Sequence, residues 1–360
     1  MKYFASFLTL ILFTISCGNK TKIPQNAGHI KHDAIVTEEY VYEIENALTP
    51  QCHASTIEIS NGIPVASWFG GTEEKNDDVG IWLSRKTEGK WSVPKEVANG
   101  IQKDGKRYPC WNPVLFKPKN KPLILFYKVG PNPEEWWGLY MISKDDGLTW
   151  SAPIKLPDGI LGPIKNQPIQ LSDGTILSPT STESKEDGWR IYLEISKDLG
   201  ETWTKTAYLN DGKQFGAIQP SILNYGNGKL QLLSRTMNEV ITENWSYDYG
   251  KTWDKMASTS LPNPNSGTDA ISLKDGRQLL VYNPTGKNWG DRVPLSIAIS
   301  TNGKKWDRIL DLEPLTENTD KEGEEYSYPT IIQASNGMIH IVYTWNRKTV
   351  KHVVLDPAKL

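Results

Sequence analysis

Net charge, cysteine and histidine are all in short supply in this chain. Forty basic side chains against 42 acidic ones leave a formal charge of −2. Runs of five or six like charges are absent, so nothing pulls the protein toward nucleic acid or an acidic membrane face over distance. Three cysteines in 360 residues exclude a disulfide-built scaffold. The five histidines are scattered, and HExxH, EF-hand and CxxC patterns and glycine-rich phosphate loops are all missing, so neither a metal nor any other cofactor is expected. Beyond residue 35 no helix-period segment of useful length occurs. Aromatics, by contrast, are plentiful: 14 Trp and 15 Tyr within a 38% hydrophobic composition exclude a disordered chain and supply a packed core.

The N-terminus reads as an export signal. Met1-Lys2-Tyr3 is a short basic start, residues 4–15 are apolar, and Ser16-Cys17-Gly18 is a small-residue cleavage site. The apolar run is too short to cross a bilayer. Cysteine directly after a small residue resembles a bacterial lipoprotein signal, with plain secretion as the alternative. The expected organisation is a signal over 1–17, a flexible tether over 18–35 and one domain over 36–360. Cys17 is then a lipidated N-terminus facing periplasm or cell surface, and the lipid is the protein's link to a membrane. Cys52 and Cys110 either pair or sit as small buried residues.

Repetition dominates the rest of the chain. Residues 143–150, 196–203 and 246–253 share the pattern S-x-D-x-G-x-T-W, and 84–91 and 300–306 are degraded copies. The pattern describes a hairpin turn in which Asp satisfies backbone amides, Gly takes the positive φ and Trp packs beneath. Out of phase with it, six β-branched runs open at His53, Asn112, Gln167, Gln219, Asp269 and Tyr328, most of them ending in Asn-Gly or Asp-Gly. Six such units predict an all-β, six-bladed β-propeller of four-stranded antiparallel blades. An early strand over 38–45 is expected to complete the last blade and close the ring. The six opening residues are polar or amphipathic, so they should converge at one mouth of the central channel as a site.

These boxes, the six repeats and the turn spacing resemble the sialidase superfamily of BNR-repeat propellers over residues 38–360. The resemblance implies a carboxylate clamp of arginines, a Tyr nucleophile supported by Glu, and an Asp acid. Arg235, at the end of a strand, and Arg292, before a degraded box, are similar to two of the arginines. Tyr328 matches the nucleophile, and Asp78 or its neighbour Asp77 the acid. His53 stands where the first arginine is expected, and Gln219 where the Glu is expected.

Gln cannot take a phenol's proton, and a phenol with a pKa near 10 is a weak nucleophile until deprotonated. Two arginines, a His and a Tyr suit another reaction: the arginines neutralise a uronate, one ring removes the acidified proton, and the other protonates the leaving group. The expected function is therefore β-elimination at the non-reducing end of acidic oligosaccharides, as a lyase or dehydratase, with either His53 or Tyr328 as base. The alternatives are exo-hydrolysis of a sialic acid or related sugar acid, with Tyr328 as nucleophile and Asp78 as acid, and a propeller that only binds glycans. Expected substrate contacts are Arg235, Arg292, Gln219, Asn112, Asp269, Lys128 and Lys165, with Trp111, Trp136 and Trp137 as stacking surfaces. The polar turn 263–269 is read either as a hydroxyl-binding loop or as a strand cap.

Overall fold

A computed structural model describes residues 32–198, 200–315 and 324–360. Its strands pair into six antiparallel sheets arranged as propeller blades. The innermost strands are Gln51–Ser60, Cys110–Phe116, Ile169–Gln170, Ala217–Asn224, Asp269–Ser272 and Tyr326–Gln333, in blade order. The first blade's outer edge is split into Lys90–Trp91 and Lys95–Ala98, both paired with Gly80–Thr87.

Each blade is buried on both faces, so its middle strands are apolar at successive positions instead of alternating with polar ones. Leu232 packs with Leu177 and Leu193 of the third blade, while its neighbour Leu233 packs with Leu280 and Tyr282 of the fifth. Leu279 and Leu280, like Ile341 and Val342, divide between opposite seams in the same way. The two-residue period of a strand thus fills two interfaces from one segment.

The boxes hold the outer hairpins as the sequence predicts. Asp248 accepts from Thr252 N at 2.9 Å, Thr252 Oγ1 at 2.6 Å and Ser246 Oγ at 2.9 Å, and Gly250 sits at φ +83°. Trp253 Nε1 closes the turn on Gly250 O at 3.0 Å. Hydrogen bonds from Thr252 hold the Asp248 carboxyl down at about 2, and those from Thr149 and Thr202 do the same for Asp145 and Asp198.

The ring closes with an N-terminal strand, but at Ile35–Tyr40 and not at 38–45; this strand pairs with Thr349–Leu355. Just past this strand Val41 N still donates to Val350 O at 2.8 Å, and Tyr42 then stacks on Trp68, with ring centroids 5.1 Å apart. Cys52 and Cys110 are buried and free; each fills an apolar cluster of its own.

Candidate active site

Four of the six inner strands carry the same irregularity at one end. Their register slips between His53 and Thr56, Trp111 and Val114, Ile218 and Ser221, and Ser327 and Thr330. The slips contain Ala54, Asn112, Gln219 and Tyr328 at φ of +54°, +32°, +55° and +52°. Positive φ at non-glycine residues is strained, and bulges of this kind re-aim side chains. The counterpart of Gln219 and Tyr328 in the first blade is therefore Ala54, one residue after His53.

The second-strand hairpins rise at the same end, and side chains from several blades meet there. Arg235, buried at the top of the fourth blade, donates from Nη1 to Tyr328 OH at 2.6 Å and to Gln219 Oε1 at 3.2 Å, and from Nε to Asn265 Oδ1 at 2.9 Å. The Cζ atoms of Arg235 and Arg292 each lie 5.6 Å from the centre of the Tyr328 ring. The His53 ring lies 4.1 Å from that of Tyr328. His53 Nδ1 is 3.1 Å from Thr344 Oγ1, and Nε2 is 3.8 Å from Glu325 Oε1. Burial, then the positive charge of Arg347, hold the His53 imidazole well below its ordinary pKa, so the ring is neutral at pH 7. His53, Gln219, Arg235, Arg292 and Tyr328 thus form one constellation.

Glu325, Arg347 and Glu74 complete it, and sequence reasoning missed all three. Glu325 accepts from Arg292 Nη1 at 2.7 Å through Oε1 and from Arg347 Nε at 2.9 Å through Oε2. Arg347 Nη1 continues to Glu74 at 2.7 Å. Burial works to raise the Glu325 carboxyl, but the adjacent positive charges outweigh it and hold the group well below the usual carboxylate range. A signal for Arg347 existed, because it lies two residues past the second strand of its blade, Ile339–Trp345, while Arg235 sits near the end of that of the fourth, Leu230–Thr236. His53, Phe69, Glu74 and Arg347 pack closely around a narrow crevice beside this chain of charges.

Other expected contacts lie elsewhere. Trp111 is buried, donates to Gly130 O at 2.8 Å and meets Trp136 edge-on, so neither ring presents a face to a sugar. Trp137 packs edge-on against Tyr108. Lys128 is buried with Nζ on Pro163 O, and burial draws its pKa down to about 7. Lys165 is buried below Tyr328, with Nζ bonded to Asn166 Oδ1, Thr268 O and Pro329 O, and burial lowers it to about 8. Its three donors are used, so it braces the Tyr328-Pro329 kink instead of meeting substrate. Gly267 makes room for this, since a Cβ there would stand 2.9 Å from Lys165 Cε and 3.2 Å from Tyr328 Cδ2.

Asp269 ties three blades at the axis, accepting from Ser221 Oγ at 2.8 Å and Ile331 N at 3.0 Å. Gln167 bridges Ile57 O and Leu115 O, both at 2.8 Å. Asn112 is buried in its bulge. Asp78 is exposed on the loop over the first blade, with Oδ2 taken up by Thr72 N and Oγ1 at 2.8 and 2.6 Å. In the turn 263–269, Asn263 closes on Ser266 O within the turn, while Asn265 accepts from Arg235 Nε and orients that side chain. Cys17 lies outside the described residues. Among the described residues, no three His, Cys, Asp or Glu side chains cluster as metal ligands would.

The profile of the BNR repeat-like domain matches residues 64–341, well over half of the chain. The chain belongs to that family. A sialidase of Bacteroides fragilis (strain YCH46) is 26% identical to this BNR repeat-like protein over 235 residues. The match covers 61% of this chain and 40% of the relative, so the chain spans less than half of that relative's length. A Dyadobacter fermentans DSM 18053 protein of unknown function superposes with a TM-score of 0.72 at 16% identity, covering 89% of this chain and 98% of that one. A mutant of the NanB sialidase from Streptococcus pneumoniae gives 0.67 at 14% identity, covering 87% and 69%. The BNR repeat-like chain is therefore a sialidase-like propeller.

Proposed function

We propose that this protein is a carbohydrate-active enzyme of the sialidase type, which hydrolyses a terminal sugar acid from an oligosaccharide. The observation that carries the proposal is the 2.6 Å hydrogen bond from Arg235 to the Tyr328 hydroxyl, with Arg292 beside the same ring. A guanidinium donating to a phenolic oxygen favours the oxygen's anionic form and prepares it to attack an anomeric carbon. The remaining guanidinium donors face the substrate carboxylate. Neutral His53 receives the phenol's proton, a carboxylic acid at the mouth protonates the leaving oxygen, and water then releases the sugar from Tyr328. The similarity to sialidases supports this reading.

A second reading, β-elimination at a non-reducing-end uronate, has its own support. Gln219 stands where a base for Tyr328 would be needed, and among the described residues Tyr328 OH is bonded to Arg235 and to no carboxylate. There Tyr328 or His53 would take the proton next to a neutralised carboxylate. Mass spectrometry after incubation with sialylated and uronate-ended oligosaccharides separates the two: hydrolysis adds water across the cut, and elimination leaves an unsaturated product or removes water. Tyr328→Phe and His53→Ala should each abolish turnover without loss of fold. Activity surviving both, or binding without turnover in the native protein, overturns both readings. We also propose export and lipid attachment at Cys17, supported by the N-terminal pattern.

A further inference from the structure

The hydrolytic reading requires a general acid, and the side chain on the expected loop is poorly placed for it. Asp78 is exposed, and its Oδ2 accepts both hydrogen bonds that Thr72 can offer within the same loop. Glu74, on the same loop, is engaged by Arg347, and Glu325 is shared between Arg292 and Arg347. Each of these carboxylates is already taken up by hydrogen-bond donors or cations.

Glu183 is different. It lies near the top of the third blade's second strand, directly opposite Trp189 in the antiparallel register. Directly opposed residues project from the same face of a sheet, with Cβ atoms about 5 Å apart. The Trp189 ring lies 5.6 Å from the Arg235 guanidinium, so the face that carries Glu183 is the one turned toward the mouth. Its side chain is partly buried, and among the described residues it has neither a hydrogen bond nor an ion pair. Its charged surroundings are Arg235, Glu74 and Lys75, groups from the fourth and first blades that lie around the mouth.

From this placement we infer that Glu183 is the catalytic acid and base of the hydrolytic reaction, in place of Asp78. Burial raises its carboxyl from the ordinary value, against the pull of Arg235 and with the help of the negative charge of Glu74, the direction that favours a proton donor. In the first half-reaction the Glu183 proton passes to the glycosidic oxygen as the bond to the anomeric carbon breaks and the bond to Tyr328 forms. In the second, the Glu183 carboxylate takes a proton from water as that water displaces Tyr328. As Tyr328 departs, His53 returns to its phenolate the proton taken up in the first half-reaction, so the sum is glycoside plus water giving sugar acid plus alcohol, with Glu183, Tyr328 and His53 all returned to their starting states.

The inference rests on the hydrolytic reading, and the test keeps the two apart. Wild-type, Glu183→Gln and Asp78→Asn full-length proteins are assayed on methylumbelliferyl and lactosyl glycosides of a sialic acid. The first leaving group needs little protonation and the second needs it fully. In kcat/KM, which reports the first half-reaction, Glu183→Gln should slow the lactosyl substrate by roughly 10²- to 10³-fold and the methylumbelliferyl substrate by less than about tenfold, and should erase the alkaline limb of the profile. Turnover of the activated substrate also shows that the variant is folded. Asp78→Asn should treat both leaving groups alike. An active wild type whose Glu183→Gln variant shows no leaving-group dependence overturns the inference alone. A wild type inactive on both substrates overturns the hydrolytic reading, and the inference falls with it.

Discussion

Acid should loosen this propeller at its closing seam. Glu39, on the closing strand, accepts from His352 Nδ1 at 2.9 Å, from Trp91 Nε1 at 3.1 Å and from Lys86 Nζ. A carboxylate can only accept, so His352 donates to it through Nδ1, leaving Nε2 to accept from His340 Nδ1 at 3.0 Å. Both imidazoles are therefore neutral. Burial, followed by the proximity of the His352 ring and the positive charge of Lys86, lowers His340 from 6.5 to about 4, while Glu39 pulls the other way. The unfolded chain takes up a proton near pH 6.5 and the folded chain only near 4, so stability falls as pH drops through that window. Between pH 7.5 and pH 5 the loss from His340 alone is about 2 kcal/mol. Urea unfolding of wild type and His340→Gln at the two pH values isolates this contribution from other titrating groups. The variant should start less stable at pH 7.5 but lose about 2 kcal/mol less on acidification. Equal slopes for the two proteins would refute the reasoning.

Asp269→Ala strips Ile331 N and Ser221 Oγ of a buried acceptor and should destabilise the fold by on the order of 3 kcal/mol in denaturant titrations; a change below experimental error would mean the axial ties are dispensable. Arg235→Lys removes the fork that holds Tyr328, Gln219 and Asn265 together, and kcat/KM should fall by roughly a hundredfold, with near-normal rates counting against the clamp. Cys17→Ala should move the protein from membranes to the soluble fraction and abolish incorporation of labelled fatty acid; unchanged fractionation would count against the lipid anchor.

What could be read from sequence depended on how local the determinant was. The boxes at 143–150, 196–203 and 246–253 state their own structure, because Ser, Asp, Gly and Thr bond to one another within eight residues in each, and Trp203 and Trp253 close their own turns. The convergence of Arg235, Arg292, His53 and Tyr328 was legible too, since repeat position places each at one end of its blade. Blade-to-blade contacts were not. Nothing near Trp111 in sequence says that Trp136 covers it, nor near Lys128 that Pro163 O receives its amine. Glu325 and Glu74 are unremarkable until Arg347 is folded between them. The bulge at Ala54 is a subtler case: no proline follows it, unlike Asn112, Gln219 and Tyr328, so nothing in the first blade's sequence marks the counterpart residue.

The sixth blade is assembled from both ends of the chain: Ile35–Tyr40 lies against Thr349–Leu355, and Asp356 N reaches Ala34 O at 2.9 Å. During synthesis the first of these strands is made long before its mate, so five blades can form while the sixth waits for residues 349–355 to be made. The nearness of the two ends also means that a circularly permuted gene, joining residue 360 to residue 33 by a short linker and opening at an exposed turn, should yield the same ring. In such a permutant the last blade would be continuous and the delay would move to whichever blade had been cut.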